Sequence, residues 1–334
     1  MPVPIPQQNS QDERILELTL RPSRWEEYVG QEKVKKNLRL IIDAARGRKE
    51  SCDHLLFYGQ AGLGKTTLAY LIGKEMHVNV RSTSGPALEK AGDVAALLSN
   101  LEPYEILFID EAHRVNKLIE EILYPAMESR KLHLIVGKGP SARTFSLDLP
   151  PFTIVAATTK ASLLSAPLRS RFGATFRLDY YTPDDIGKIL SRSAGLLGVT
   201  ITPDATALLA GASRFTPRVA NRLLKRTRDY AQVYGTGPVD ASVVAKTLEL
   251  LDIDDLGLER ADRDLLRAII EKFDGGPVGL KALGASLNEE VGTIEDVYEP
   301  FLMKLGLLHR TPGGRTATHA AYKHLGIPYK SSLL

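Results

Sequence analysis

Along the first half of the chain, short strand-like runs, most of them largely apolar, alternate with longer stretches in which apolar residues recur every three or four positions. The runs at 54–58, 79–82, 105–109, 152–157 and 174–178 predict strands, and the stretches between them predict helices. Strands without a polar face are strands covered on both sides. The segment from about Leu20 to Tyr181 therefore reads as α/β, a parallel sheet enclosed by helices. One interruption breaks the alternation. Leu132-His133-Leu134-Ile135-Val136 and Thr144-Phe145-Ser146-Leu147 flank Gly137-Lys138-Gly139-Pro140-Ser141, which predicts a β-hairpin over 131–149, inserted before the fourth strand. Its apolar positions fit either a partner-binding surface or packing on the parent domain.

After Thr182-Pro183 the pattern turns helical, over roughly 184–197, 203–212, 216–234 and 240–251. Asp252-Ile253-Asp254-Asp255 forms an acidic joint. Three short helical stretches follow, then Leu307-Leu308-His309-Arg310, a Pro312-Gly313-Gly314 turn and Arg315-Thr316-Ala317-Thr318. Helices followed by a small hairpin predict a winged helix. The expected organisation is a flexible N-terminus at 1–19, an α/β domain at 20–181, a small helical domain at 182–254 and a winged-helix domain at 255–334.

The chemistry is concentrated at two strand ends. Gly59-Gln60-Ala61-Gly62-Leu63-Gly64-Lys65-Thr66 fits the phosphate-binding loop G-x-x-x-x-G-K-[ST], and it stands between a predicted strand and a predicted helix. That context supplies what a triphosphate needs. Backbone N–H groups and a helix N-terminus face the phosphates, Lys65 reaches the β- and γ-phosphates, and the Thr66 hydroxyl ligates Mg²⁺. Ile106-Leu107-Phe108-Ile109 then ends in Asp110-Glu111. At the C-terminal end of a strand, Asp110 is placed to orient the metal and its waters, and Glu111 to polarise an attacking water. A structural reading, a helix-capping acidic pair, is the weaker one here. Asp110-Glu111-Ala112-His113 also spells a helicase box, but the surrounding pattern does not follow it, and His113 reads as a structural neighbour rather than a metal ligand. The chain is expected to bind ATP and Mg²⁺ and to hydrolyse the nucleotide.

Composition adds limits. Of 334 residues, 43% are hydrophobic and 25% charged, and the net charge is +3, which is ordinary for a soluble globular protein. A single cysteine, Cys52, excludes an intrachain disulfide and fits a reducing cytoplasm. There is no apolar run of membrane-spanning length and no signal-peptide core. From Phe301 onwards there are five basic residues and no acids, whereas Asp255 to Pro300 carries eleven acids against five bases. The end of the chain is thus locally basic.

Further residues now line up. Val155-Ala156-Ala157-Thr158-Thr159, Leu168-Arg169-Ser170-Arg171-Phe172-Gly173 and Thr216-Pro217-Arg218 resemble, in that order, sensor 1, the arginine finger and sensor 2 of the AAA+ ATPases. Leu20-Arg21-Pro22, Val29-Gly30-Gln31, Ser84-Gly85-Pro86, Gly137 to Ala142, Gly275-Gly276-Pro277-Val278-Gly279-Leu280, Tyr298-Glu299-Pro300 and Arg310-Thr311-Pro312 narrow the resemblance to the RuvB family of Holliday-junction branch-migration ATPases, over about residues 14–326. The resemblance implies a homohexameric ring around duplex DNA at four-way junctions, acting in recombination and repair with RuvA, docked on the 131–149 hairpin, and with RuvC. It implies that Leu20 and Arg21 lie on the base side of the nucleotide, with Tyr181, also a nucleotide contact, at the hinge to the small domain. Gly62, Gly64, Lys65, Thr66 and Thr67 would hold phosphate and magnesium. Thr159 would be sensor 1, Arg218 sensor 2, and Arg171 a finger acting on the neighbouring subunit. Glu128, Ser129 and Arg130 would contact nucleotide, and Arg310 and Arg315 would touch DNA phosphates. Two departures stand out: Gln60-Ala61 replaces a proline pair in the loop, and Gly314 replaces a further wing arginine. A clamp-loader-like switch and a protein unfoldase share the ATPase motifs. The first leaves the winged helix without a role, and the second requires an aromatic pore loop that the sequence does not show.

Overall fold

The computed structural model describes residues 18–136, 143–235 and 237–329. The stretch read as flexible, up to residue 17, and the hairpin turn at 137–142 lie outside the described residues. Two compact units result. One takes the chain up to Leu197 together with Thr216–Asn221; the other takes Gly198–Phe215 and the chain from Arg222 onward.

Among the described residues the first unit holds seven strands: β1 (Leu55–Tyr58), β2 (Val80–Ser84), β3 (Ile106–Asp110), β4 (Lys131–Val136), β5 (Arg143–Asp148), β6 (Thr153–Thr158) and β7 (Ala174–Arg177). Five of them form a sheet in the order β2-β3-β6-β1-β7, and every pairing in it is parallel. The other two, β4 and β5, pair antiparallel as the expected hairpin. Phe57, Phe108, Leu107 and Val155 are fully buried, which explains why β1, β3 and β6 read as unbroken apolar runs. Helix Lys117–Ser129 closes one face through Ile119, Leu123 and Ala126, packed with Leu107, Ile109 and Ile154. Each buried Leu or Ile of this kind contributes about 1.5–3 kcal/mol. Asn116 starts the helix by accepting from Ile119 N at 3.0 Å. Cys52 is buried ahead of β1, 3.5 Å from Met76 Sδ, and burial pushes its thiol up to about 11.

Register decides where chemistry can sit. Tyr58 pairs with Thr158, Ser84 with Asp110, and Ile109 with Ala156. The C-terminal ends of β1, β2, β3 and β6 therefore share one edge, the edge at which open α/β sheets bind ligands. Helix Pro183–Leu196, from the predicted small helical domain, belongs to this unit. Arg192 ties it down by donating to the Leu20 carbonyl at 2.9 Å and to Glu27 at 2.7 Å.

In the second unit, helices Pro203–Gly211 and Ala241–Leu250 pack on each other, capped by Thr202 and Asp240. The chain then makes helix Arg260–Arg267, extended to Lys272 by a wider turn, helix Leu280–Leu287, a helical run from Val291 to Lys304, and the antiparallel hairpin β8 (Leu308–Thr311) and β9 (Gly314–Ala317). Leu265, Leu266, Ile269, Leu283, Ile294, Phe301 and Leu302 form its core. This is the predicted winged helix. Two charged pairs are built into it. Asp262, fully buried, accepts from Arg214 Nη1 at 2.8 Å, and Glu299, 2% exposed, is bonded by Arg315.

Candidate nucleotide site

Leaving β1 at Tyr58, the chain turns through Gly59, whose N–H donates to the Thr158 carbonyl at 3.2 Å. This bond places the loop beside the end of β6. Gly59, Gly62 and Gly64 have φ of +142°, +79° and +93°, values that favour glycine. The space is equally restrictive. A Cβ on Gly59 would lie 2.5 Å from the Leu178 carbonyl, and one on Gly64 would lie 2.8 Å from the Tyr28 hydroxyl. Helix Lys65–Met76 begins directly after Gly64, so its first N–H groups point into the loop.

Lys65 is 8% exposed. Its ammonium donates to the Gly59 and Gln60 carbonyls at 2.7 and 2.8 Å, which holds the loop closed where the family's prolines are absent. Burial pushes it down to about 8; Arg218 adds to the depression, and Asp110 opposes it. Thr66 Oγ1 lies 3.5 Å from Asp110 Oδ2. The other oxygen of Asp110 accepts from Glu111 N at 2.9 Å. Glu111 takes a left-handed backbone, φ +47°, and its exposed carboxylate pairs with Arg114 at 3.1 Å. That sharp exit from β3 relies on Gly85, where a Cβ would sit 2.4 Å from the Glu111 carbonyl. Beside it, Thr158 Oγ1 lies 2.9 Å from His113 Nδ1, so His113 is a structural neighbour, as expected. Thr159 follows, exposed at the same edge. Arg218 stands at the start of helix Pro217–Tyr234, with its Cβ 3.0 Å from where a Gly62 Cβ would be. The fold therefore brings Gly62, Gly64, Lys65, Thr66, Thr67, Asp110, Glu111, Thr159 and Arg218 to one strand edge.

Below the loop, the buried hydroxyls of Tyr28 and Tyr181 lie 3.2 Å apart, and Tyr181 Oη is also 3.2 Å from the Leu63 carbonyl. Burial pushes Tyr181 up to about 12 and Tyr28 well above the ordinary phenol range. Leu20 is buried, and Arg21 stacks at 5.9 Å over the Tyr70 ring. Reading the sequence did not single out Tyr28, Gly85 or Arg192. A buried tyrosine under a glycine and a glycine needed only for close approach leave no periodic signal. Only Gly85 carried a trace, as part of Ser84-Gly85-Pro86.

Two groups of expected site residues lie away from this loop. Glu128, Ser129 and Arg130 do not stand at their own chain's loop. They end helix Lys117–Ser129, which runs back to the far edge of the sheet, where the carbonyl of Met127 meets His54 at 3.3 Å ahead of β1. There Glu128 pairs with Arg171 at 2.9 Å, Ser129 bonds the Pro125 carbonyl and Arg130 reaches Ser51. Nor is Arg315 available to DNA phosphates. Its side chain is 9% exposed and is committed to Glu299. Arg310, 54% exposed and 3.2 Å from Glu295, faces solvent. Gly314 is also not a simple loss of arginine, because at φ +136° a Cβ there would lie 2.4 Å from the Val278 carbonyl.

Comparison with known proteins agrees with this architecture along its length. Residues 20–178 match the family described as the Holliday junction DNA helicase RuvB P-loop domain, 181–254 the RuvB AAA lid domain, and 255–326 the RuvB C-terminal winged helix domain. The Holliday junction branch migration complex subunit RuvB of Chloroflexus aurantiacus is 55% identical over 329 residues, covering 98% of this chain and 94% of that protein. The Thermotoga maritima RuvB Holliday junction branch migration motor has a similar structure, with a TM-score of 0.85 and 48% identity, covering 93% of this chain and 100% of the other. With its phosphate loop, acidic strand end, lid and winged helix all matched, the chain belongs to the RuvB family of AAA+ ATPases.

Proposed function

We propose that this chain is one subunit of a homohexameric, ATP-driven ring that translocates duplex DNA and so moves the crossover of four-way junctions in recombination and repair, in the cytoplasm, with RuvA and RuvC. One observation carries the reading. The nucleotide edge of the sheet holds Gly62, Gly64, Lys65, Thr66, Thr67, Asp110, Glu111, Thr159 and Arg218, whereas Arg171 is at the opposite edge, beside Glu128. An arginine that cannot serve its own chain's site is suited to serve a neighbour's, and a ring supplies a neighbour to every site.

In this reading Lys65 and the N–H groups from Gly62 to Thr67 hold the phosphates. Leu20 and Arg21 line the base side, and Tyr181 stands at the hinge to the lid. Thr159 and Arg218 contact the terminal phosphate, Arg218 from the lid, so that 20–181 and 182–254 respond to its loss. Glu111 orients and polarises the attacking water. The residues fit Mg²⁺. Thr66 and Asp110 offer a hydroxyl and a carboxylate 3.5 Å apart, the few hard oxygen donors that Mg²⁺ uses alongside water and substrate phosphates. When bound, Mg²⁺ neutralises charge on the phosphates. In the 255–334 part, Arg310 contacts the DNA backbone, which carries no base information and suits a motor that must move any sequence. The 131–149 hairpin, with Phe145 and Leu147 exposed at 55% and 44%, docks RuvA. Among the described residues no helix is long and apolar enough to cross a membrane.

The test is branch migration of a synthetic four-way junction with ATP, with and without RuvA, using Glu111→Gln as control. ATP-dependent strand separation that requires Glu111 and rises with RuvA is expected. ATP turnover without junction movement in either condition would overturn the motor reading and favour a clamp-loader-like switch.

A further inference from the structure

Arg171 is held by more contacts than an ion pair needs. Its guanidinium lies over the Tyr124 ring, 4.3 Å from the centroid. Nη1 donates to the Pro167 carbonyl at 2.6 Å, and Nη2 pairs with Glu128 at 2.9 Å. Nε is buried without a hydrogen-bond partner. The tyrosine is fixed in turn. Its hydroxyl is 3.1 Å from Glu120 Oε2 and 3.0 Å from Ser165 Oγ. Glu120 is 5% exposed, and Ser165 caps the short helix that carries Pro167.

These contacts differ in kind. The Glu128 side chain is 59% exposed, and an ion pair at such a position is worth little and is readily exchanged. The ring and the Pro167 carbonyl belong to packed elements and do not exchange. An unmatched buried N–H is costly and is rare away from functional groups. A guanidinium acts through a planar fork of donors, so the orientation of that plane decides which oxygens it can reach. An arginine that must be ready to meet an incoming phosphate needs its plane set beforehand.

We infer that Tyr124 is the positioning residue of Arg171: the ring sets the plane of the guanidinium, while Glu128 is an exchangeable counter-ion that gives way to a phosphate of the neighbouring subunit's nucleotide. This rests on the reading of Arg171 as a residue acting in trans.

The test is a set of single variants and one double variant of the full chain, assayed for DNA-stimulated ATP turnover and for nucleotide affinity. Tyr124→Phe keeps the ring and should stay within about twofold of the unaltered chain. Tyr124→Met and Tyr124→Leu should lower kcat about tenfold, the scale of a lost desolvated cation–π contact, with nucleotide Kd unchanged; either variant suffices if the other does not fold. Tyr124→Met combined with Arg171→Ala should be no slower than Arg171→Ala alone, because both changes remove one function. Additive losses in the double variant would overturn the inference, as would full turnover in Tyr124→Met beside an inactive Arg171→Ala, and in both cases the trans reading would stand. Hydrolysis persisting in Arg171→Ala would remove the trans reading and the inference with it.

Discussion

Nucleotide binding at pH 8 should draw protons from solution through Lys65. In the free protein the ammonium is buried and held at about 8 rather than 10.5. The difference, about 2.5 units at 1.36 kcal/mol each, is a cost of roughly 3 kcal/mol for keeping this group charged. Because the folded value lies below the unfolded one, the free protein gains stability as pH climbs from about 8 to 10.5. Phosphates placed against Lys65 reverse the balance and return its value to the ordinary lysine range. At pH 8 about half of the chains then take up a proton on binding; at pH 7 about one in ten do, and at pH 9 about nine in ten. The nucleotide's own phosphates are already ionised at pH 8. Calorimetric titration with ADP, in two buffers of different ionisation enthalpy, measures the uptake directly. The apparent Kd should rise almost tenfold per pH unit above 8. Lys65→Arg, which stays charged at every pH used, should show no uptake whatever its affinity. Equal heats in the two buffers at pH 8, or the same uptake in Lys65→Arg, would refute the reasoning.

Gly85→Ala places a Cβ 2.4 Å from the Glu111 carbonyl, and about 1–3 kcal/mol of overpacking is relieved by moving the Asp110-Glu111 turn. Turnover should fall at least tenfold while ADP affinity changes little, and equal losses in both would place the damage elsewhere. Arg310→Ala should weaken DNA binding for all sequences and reduce the salt slope by about one, whereas an unchanged slope would take the wing out of the contact surface. Arg315→Ala should leave that slope unchanged and destabilise the second unit by about 3–5 kcal/mol, since it strands a buried Glu299; denaturant unfolding followed in that unit gives the answer. Arg214→Ala should cost a similar amount by leaving Asp262 unpaired, and a transition midpoint unchanged from the parent's would contradict the burial argument.

The strands were legible to within one or two residues; β1, β3 and β6 stand out because both their faces are covered, so each is nearly a bare apolar run. Lys65, Thr66 and Asp110 were legible because a strand, a loop and a helix start leave a fixed spacing. What sequence could not show was which partner a charge would find. Arg315 and Glu299 are sixteen positions apart, and only the packing of the hairpin on the preceding helix turns an expected DNA contact into an internal pair. Glu128, Ser129 and Arg130 follow Glu111 closely in sequence, yet the intervening helix carries them to the opposite edge of the sheet. The same applies to Arg192, whose bonds to Leu20 and Glu27 bring helix Pro183–Leu196 into the sheet unit. Tyr28 and Gly85 act through a single close approach each, and a single approach has no period to detect.

The burial of Cys52 makes this chain well suited to single-site labelling. Thiol reagents attack the thiolate. With its value near 11, roughly one Cys52 in three thousand is ionised at pH 7.5, against about one in ten for an ordinary surface cysteine. That is a selectivity of about 300-fold before shielding is counted. A cysteine introduced at Phe145 or Arg310 would therefore take a fluorophore almost alone, with the native thiol left in place. Pairs of such probes could report distances within the chain during turnover without first removing a core residue.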